Sequence, residues 1–194
     1  DWSSDVCSSD LLLPLGDSYH QLAGEFRNKL AGQYTTRRYA KGDVLLQQGD
    51  EQDAGYLIIS GVLGALHASS QGAQKCKEFY FQDEFALLYG NWLTKTPALY
   101  QLKVIRDAEL IKVPLVLFDS TDWQAIKHQL ISQQLLFKEA KEAFLLLNTP
   151  EQRYQYLLEQ KPHWLEQLSL NEVAMYLGIS AISLSRIRRR LNLS

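Results

Sequence analysis

LNEVAMYLGISAISLSRIRRRLNLS, residues 170–194, reads as two short helices joined by a tight turn. Apolar residues fall at Val173, Leu177, Ile179, Leu184 and Ile187, and the small Ala174 sits where two helices must approach closely. Gly178 stands where the chain must reverse, a place for positive φ that glycine adopts without a Cβ penalty. Ser180 is placed to cap the second helix by accepting a backbone N–H bond. At 100° per residue, Leu184, Ile187 and Leu191 share the inner face of that helix. Ile182, Ser185, Arg186 and Arg189 lie opposite, flanked by Ser183 and Arg190. A basic, hydroxyl-bearing outer face suits a DNA duplex. An arginine forks onto guanine O6 and N7, an apolar tip such as Ile182 touches a thymine methyl, and the other arginines neutralise phosphates. The bland alternative is a solvated amphipathic helix whose basic end merely suits the helix dipole.

Charge is distributed unevenly. The 194 residues carry a formal net charge of −2, yet the segment from Leu170 onward has four arginines against Glu172 and so carries +3. The rest of the chain is left with −5, which localises any affinity for a polyanion to the C-terminal tip. A hydrophobic fraction of 46% is that of a folded globular chain, and the length allows one domain or two small ones. Two cysteines, Cys7 and Cys76, exclude a disulfide framework and a zinc or iron–sulfur set, and Cys76 reads as a half-buried strand thiol. No apolar run approaches the roughly 18–20 residues of a membrane span, so the expected compartment is the cytoplasm. DWSSDVCSSD (1–10) fits neither a helical nor a strand period and is expected to be a non-native leader. LLLPLG (11–16) lacks the basic region of a signal peptide.

Working back along the chain, residues 17–32 form an amphipathic helix with Leu22, Phe26 and Leu30 on one stripe and Asp17 or Ser18 as cap. From about Thr35 to Pro114 the texture becomes that of short strands rich in Val, Ile, Leu, Tyr and Phe. KGD and QGD are turn signals, SGV is read as joining two strands, and LYQLKVIRD and AELIKVP as two more. Strands so short and closely spaced predict an antiparallel barrel, roll or sandwich. After Pro114 comes a short LVLFDS piece and then a long helix over about 122–148. In it Ile126, Leu130, Gln133, Phe137, Ala140, Phe144 and Leu147 follow a 4-3 alternation. That spacing is a coiled-coil seam with one polar position, expected to be a dimer interface; the alternative is a stripe packed on its own domain. In TPEQRYQYLLEQ (149–160), Thr149 is the cap, Pro150 the first helical position, and Glu151 and Gln152 the first turn.

KGDVLLQQGDEQDAGYLIISG resembles the opening strands of the CRP–FNR (catabolite activator) family of bacterial transcription regulators. TPEQRY leading into LSLNEVAMYLGISAISLSRIRRRL resembles that family's DNA-binding end. The resemblance covers roughly residues 17–194. It implies an α+β fold with three parts. These are an antiparallel β-roll (a double-stranded, jelly-roll-like, cyclic-nucleotide-binding-like domain, 17–120), a long dimerisation helix (121–148) and a winged-helix-type helix-turn-helix (149–194). By this likeness Ser180 contacts a backbone phosphate and Arg186 reads bases, and the pair Ser185–Arg186 is similar to that of the oxygen-responsive branch. Ala181 and Ile182 stand where Arg and Glu often occur, so the operator preference should differ. Cyclic-nucleotide binders of the family carry Phe-Gly-Glu-Leu followed by Arg-Ser or Arg-Thr. Here DEFALLYGNWLTKTPALYQ places Leu87 and Leu88 at the Gly and Glu positions and Ala98 and Leu99 near the arginine. An apolar floor without guanidinium or exposed amides does not compensate a buried phosphate, so no cyclic nucleotide and no other cofactor is expected; the alternatives left open are an apolar or uncharged effector, a response to a partner, or no ligand.

The expectation is therefore a homodimeric, sequence-specific regulator acting on double-stranded DNA, with RNA polymerase as a further partner. The competing reading is an effector- or protein-binding module of the same fold that has lost DNA binding. An enzyme is not expected. His20, His67, His128 and His163 are scattered, Asp83 and Glu84 have no histidine or metal-ligand spacing beside them, and no catalytic motif or metal set is present.

Overall fold

Two long runs of apolar and β-branched residues, Ala54–Ala68 (β3) and Gln101–Pro114 (β6), pair antiparallel along their whole length, from Ala54 opposite Pro114 to Leu66 opposite Gln101. The computed structural model describes residues 15–30, 32–68 and 74–193. Residues 1–10, including Cys7, lie outside them. The sheet is completed by β1 (Arg37–Tyr39) and β2 (Val44–Leu46) on β6, and by β4 (Gln74–Tyr80) and β5 (Phe85–Ala86) on β3. All pairings are antiparallel, as expected for a roll.

Two expected strand breaks are not breaks. SGV is the bend of one continuous β3, and LYQLKVIRD and AELIKVP are one continuous β6. At the bend Gly61 has φ +92°, and a Cβ built there would strike the Asp107 carbonyl and come within 2.6 Å of Ala108 Cα. The register shifts between Ile58 and Leu63 mark the same place. A bulge of this kind turns two strands together without losing their ladder, so a turn signal in the sequence becomes a corner in the sheet.

Two apolar clusters flank this ladder. In one, helix α1 (Leu15–Leu30) inserts Leu22, Phe26 and Leu30 against Phe85, Leu87, Trp92 of the short helix α2 (Tyr89–Thr94), Phe118 and Trp123. Phe26 stands 4.9 Å from Phe85 and 5.9 Å from Phe118, ring centre to ring centre, in tilted geometries that aromatic quadrupoles favour. Because α1 begins at Leu15, Asp17 and Ser18 fall inside its first turn rather than capping it. The other cluster fills the roll with Tyr56, Ile58, Leu63, Tyr80, Leu88, Leu102 and Leu110 among others. Tyr56 donates its hydroxyl to the Leu45 carbonyl at 3.2 Å. Burial, with Tyr39 and Asp53 nearby, pushes its pKa up to about 12, so it stays a neutral donor. Cys76 is half-buried on β4, as its strand position implied.

After two 3-10 turns (Leu115–Asp119, Thr121–Trp123) the long helix α3 runs Gln124–Leu147. It is followed by α4 (Pro150–Gln160), α5 (Pro162–Gln167), α6 (Leu170–Tyr176) and α7 (Ala181–Arg190). By its internal contacts the chain divides into two units within α3, at Gln134/Leu135. The described residues beyond Leu135 are helices and turns only, and they hold no wing strand.

The corner predicts a sharp contrast between two glycines. Gly61→Ala combines a positive φ with a backbone collision and should cost about 2–4 kcal/mol in urea denaturation. Gly24→Ala, in an open position of α1 with no atom within 4 Å, should be neutral or gain up to about 1 kcal/mol.

Candidate nucleic-acid interface and effector pocket

The C-terminal unit is built from its caps inward. Thr149 and Gln152 exchange hydrogen bonds in a capping box at the start of α4, and Ser169 and Glu172 do the same for α6. The second box begins one residue before Leu170 and is missed by a reading confined to 170–194, although Ser-x-x-Glu is its sequence signal. At the end of α6, Gly178 takes φ +71°. Its N–H donates to Met175 O at 3.2 Å and that of Ile179 to Ala174 O at 3.0 Å, the pair of bonds that closes a helix through a left-handed residue. Ser180 then caps α7, accepting from the Ser183 N–H at 3.1 Å, with the two serine hydroxyls 2.9 Å apart. Such a cap is worth about 1 kcal/mol. Val173, Ala174, Leu177, Leu184 and Ile187 are all buried, and Trp164 stacks edge-on against Tyr176 at 5.0 Å beneath them. Ile179 and Leu191 are half-buried, and Leu191 is the C-cap of α7 rather than part of its inner face.

With its inner face used in this way, α7 presents Ile182, Ser185, Arg186 and Arg189 outward, all exposed. Two of the anticipated contacts are otherwise engaged. Ser183 is half-buried beside the Ser180 hydroxyl. Arg190 pairs with Glu151 of α4 at 2.6 Å and its side chain remains mostly exposed. Ser183, Arg186 and Ile187 line one wall of a groove of about 570 Å³ whose other wall is the first turn of α4, around Pro150 and Gln155.

Arg153 is the residue the sequence reading passed over. Its guanidinium donates to Asn148 O at 3.0 Å, to Leu177 O at 2.8 Å and to Leu145 O. One cation thus satisfies the carbonyl ends of two helices, α3 and α6, where the dipoles are negative. The five donors of a planar guanidinium make this reach; an ammonium has no comparable fork. The signal was only an arginine four residues after the Thr149 cap.

The supposed dimer seam is placed differently from expectation. Ile126 and Leu130 lie in the core with Phe26, Phe118 and Trp123. Ala140 and Phe144 are buried too, Phe144 against the Tyr156 ring at 5.2 Å, while Gln133 and Phe137 are half-buried. Most of the stripe is covered by its own chain, and Leu147 at its end is exposed. The large apolar residues that α3 leaves in solvent are Leu135, Leu136, Leu146 and Leu147, each more than half exposed.

At the effector position, Leu87, Leu88 and Ala98 are fully buried and Leu99 is exposed. The backbone here is already satisfied. Leu88 N–H donates to Gln52 Oε1 at 2.9 Å, Ala98 N–H to Asp50 O at 2.8 Å, and Leu87 O accepts from the Tyr80 hydroxyl at 3.2 Å. The neighbouring groove of about 520 Å³ has Glu51, Asp53 and Asp119 on its rim against Lys95. Amides that are already bonded, an apolar floor and acidic neighbours oppose a phosphodiester on each count. Among the described residues there is no group of three or more His, Cys, Asp or Glu that could hold a metal ion, and no helix long and apolar enough to cross a membrane.

Residues 36–121 match the family model of the cyclic nucleotide-binding domain. The regulator CLP of Xanthomonas campestris, described as responsive to c-di-GMP, superposes with a TM-score of 0.66 at 20% identity, covering 88% of this chain and 91% of that one. FixK2 of Bradyrhizobium japonicum superposes with a TM-score of 0.68 at 16% identity, covering 82% and 84%. Residues 36–121 are thus similar to the cyclic nucleotide-binding domain, and the chain has the CRP/FNR fold. A CRP/FNR-family transcriptional regulator of Thermus thermophilus agrees, with a TM-score of 0.63 at 19% identity over 81% of this chain and 86% of that one. In sequence, the domain is 35% identical over 79 residues to lysophospholipase NTE1 of Chaetomium globosum, which is 41% of this chain and 5% of that protein. The chain spans about 5–7% of the length of the curated relatives it matches, so the likeness is to one domain within much longer proteins.

Two outcomes follow. Cyclic AMP or cyclic GMP at millimolar concentration should leave the melting temperature unchanged in a thermal-shift assay; a rise of several degrees would mean that the 85–99 segment opens to admit phosphate. Arg153→Met strands the Leu145, Asn148 and Leu177 carbonyls and should cost about 2–4 kcal/mol in urea denaturation, with Arg153→Lys recovering only part of it.

Proposed function

We propose that this protein is a homodimeric, sequence-specific DNA-binding transcription regulator whose sensor domain does not respond to cyclic nucleotide. The observation that carries the reading is the division of α7 into two faces. Leu184 and Ile187 are consumed by packing, and Ile182, Ser185, Arg186 and Arg189 are left outward on a rigid, capped helix. Nothing in the unit's own stability requires that outer face. It matches what the major groove offers: guanine acceptors for Arg186, a methyl for Ile182, and phosphate for Arg189. The CRP/FNR fold supports the reading, since this geometry is that of a recognition helix. Catalysis has no support in the domain, and the longer enzymes that share it are known here only by that shared segment.

A helix-turn-helix usually reads two half-sites about 34 Å apart, which calls for two copies. The exposed part of α3 supplies a face for a second copy. Leu136, Glu139, Ala143 and Leu146 repeat at coiled-coil spacing, with Leu135 and Leu147 beside them. The same fold without DNA binding is the reading to be excluded.

Selection of binding sites from a random duplex pool at near-physiological salt decides between them. A two-fold-symmetric motif should be enriched. Arg186→Ala should then lose roughly 1–3 kcal/mol per half-site on that motif while keeping most of its salt-dependent, non-specific affinity. Leu136→Glu with Leu146→Glu should give a folded monomer in light scattering that no longer selects paired half-sites. No enrichment, with or without cell extract, would leave the module that has lost DNA binding.

A further inference from the structure

We infer that Ile182 makes this recognition helix selective for a 5-methylpyrimidine, thymine or 5-methylcytosine, within two base pairs of the guanine read by Arg186. The inference rests on the reading of α7 as the DNA-contacting helix and deepens it.

Three large apolar side chains lie within α7 after its cap, and they have different fates. Leu184 and Ile187 are 0% and 3% exposed, while Ile182 is 67% exposed. Ile182 sits two residues before Leu184, so the helical twist directs it about 160° away from the core, and no adjustment of the helix-turn-helix can bury it. Packing of the helix-turn-helix does not use this side chain, which leaves it available for a contact outside the unit.

The surroundings point to a base edge as the cover. Ile182 is in the first turn, two residues after the Ser180 cap, in the part of a recognition helix that contacts base edges. Ser185 and Arg186 follow at i+3 and i+4 on the same face. The rise between Ile182 and Arg186 is about 6 Å along the helix, against about 3.4 Å per base step, so the two tips reach positions no more than about two base pairs apart. Isoleucine is stiff at χ1 in a helix, so its branched tip is presented at little entropic cost.

Chemistry then narrows the partner. In the major groove thymine alone among the four bases presents a methyl group, at C5, and cytosine presents only its amino donor. Uracil lacks that methyl, and 5-methylcytosine carries it at the same ring position. An apolar tip without a hydrogen-bonding group can distinguish these pyrimidines only through that methyl. The protein should therefore respond to methylation of cytosine at this site, reading the modified base as it reads thymine.

The test uses the full chain and the duplex obtained by selection. Each thymine of the half-site is replaced in turn by uracil, and the critical position also by cytosine and 5-methylcytosine. At one position thymine-to-uracil should weaken binding about fourfold per half-site, the effect of one buried methyl-sized group, and about 15-fold when both half-sites change. At that position 5-methylcytosine should bind better than cytosine by a similar factor. Ile182→Ala should fold with an unchanged melting temperature and lose the thymine/uracil distinction while still requiring the guanine; Ile182→Val, which keeps a branched tip, should retain it. An enriched operator at which wild-type protein binds thymine and uracil equally, or at which Ile182→Ala still separates them, overturns this inference alone. Failure to enrich any duplex overturns the DNA reading itself, and this inference with it.

Discussion

Strands β3 and β6 are joined from Ala54–Pro114 to Leu66–Gln101, and they can bend together only where Gly61 lets the backbone of Asp107 and Ala108 approach. The rest of the sensor domain depends on that close approach. Residues alternate between the two faces of the ladder: Leu57, Ile111 and Val113 pack with α1 and the aromatic cluster around Phe26 and Phe118, while Tyr56, Ile58 and Leu110 join Leu63, Leu102 and Val104 in the roll.

The segment from Phe85 to Leu99 is poorly suited to a phosphate-bearing ligand. The ligand is satisfied by free amides and a guanidinium, and here Gln52, Asp50 and Tyr80 have taken the polar groups of the backbone while Leu88 and Ala98 have joined the core.

In the C-terminal unit the corresponding constraint is electrostatic. Arg153 holds the carbonyl ends of α3 and α6 together through Leu145, Asn148 and Leu177, so the turn at Gly178 is fixed relative to the end of the long helix. A helix that reads bases must be held within a fraction of an ångström, and sites on helices supported by such bonds are more exact than sites on loops. The ion pair between Glu151 and Arg190 adds a contact between α4 and α7.

Much of this was determined by the sequence alone. The helix-turn-helix, its turn at Gly178, its cap at Ser180 and the outward set Ile182, Ser185, Arg186 and Arg189 were legible because caps, glycine turns and helical periodicity act over four residues or fewer. The antiparallel roll and the apolar effector position at Leu87, Leu88 and Ala98 were legible for the same reason: residue type at local spacing. Only the tertiary structure decided the rest. A 4-3 stripe on α3 shows that something covers it but not what, and here the cover is the protein's own core at Ile126 and Leu130 and Tyr156 at Phe144. SGV signals a reversal, yet its partner strand turns it into a corner. Arg153 and Leu177 are 24 residues apart, as Glu151 and Arg190 are 39 apart. Contacts at such separations leave no mark on local periodicity, because their free energy depends on where the packed core brings the chain back.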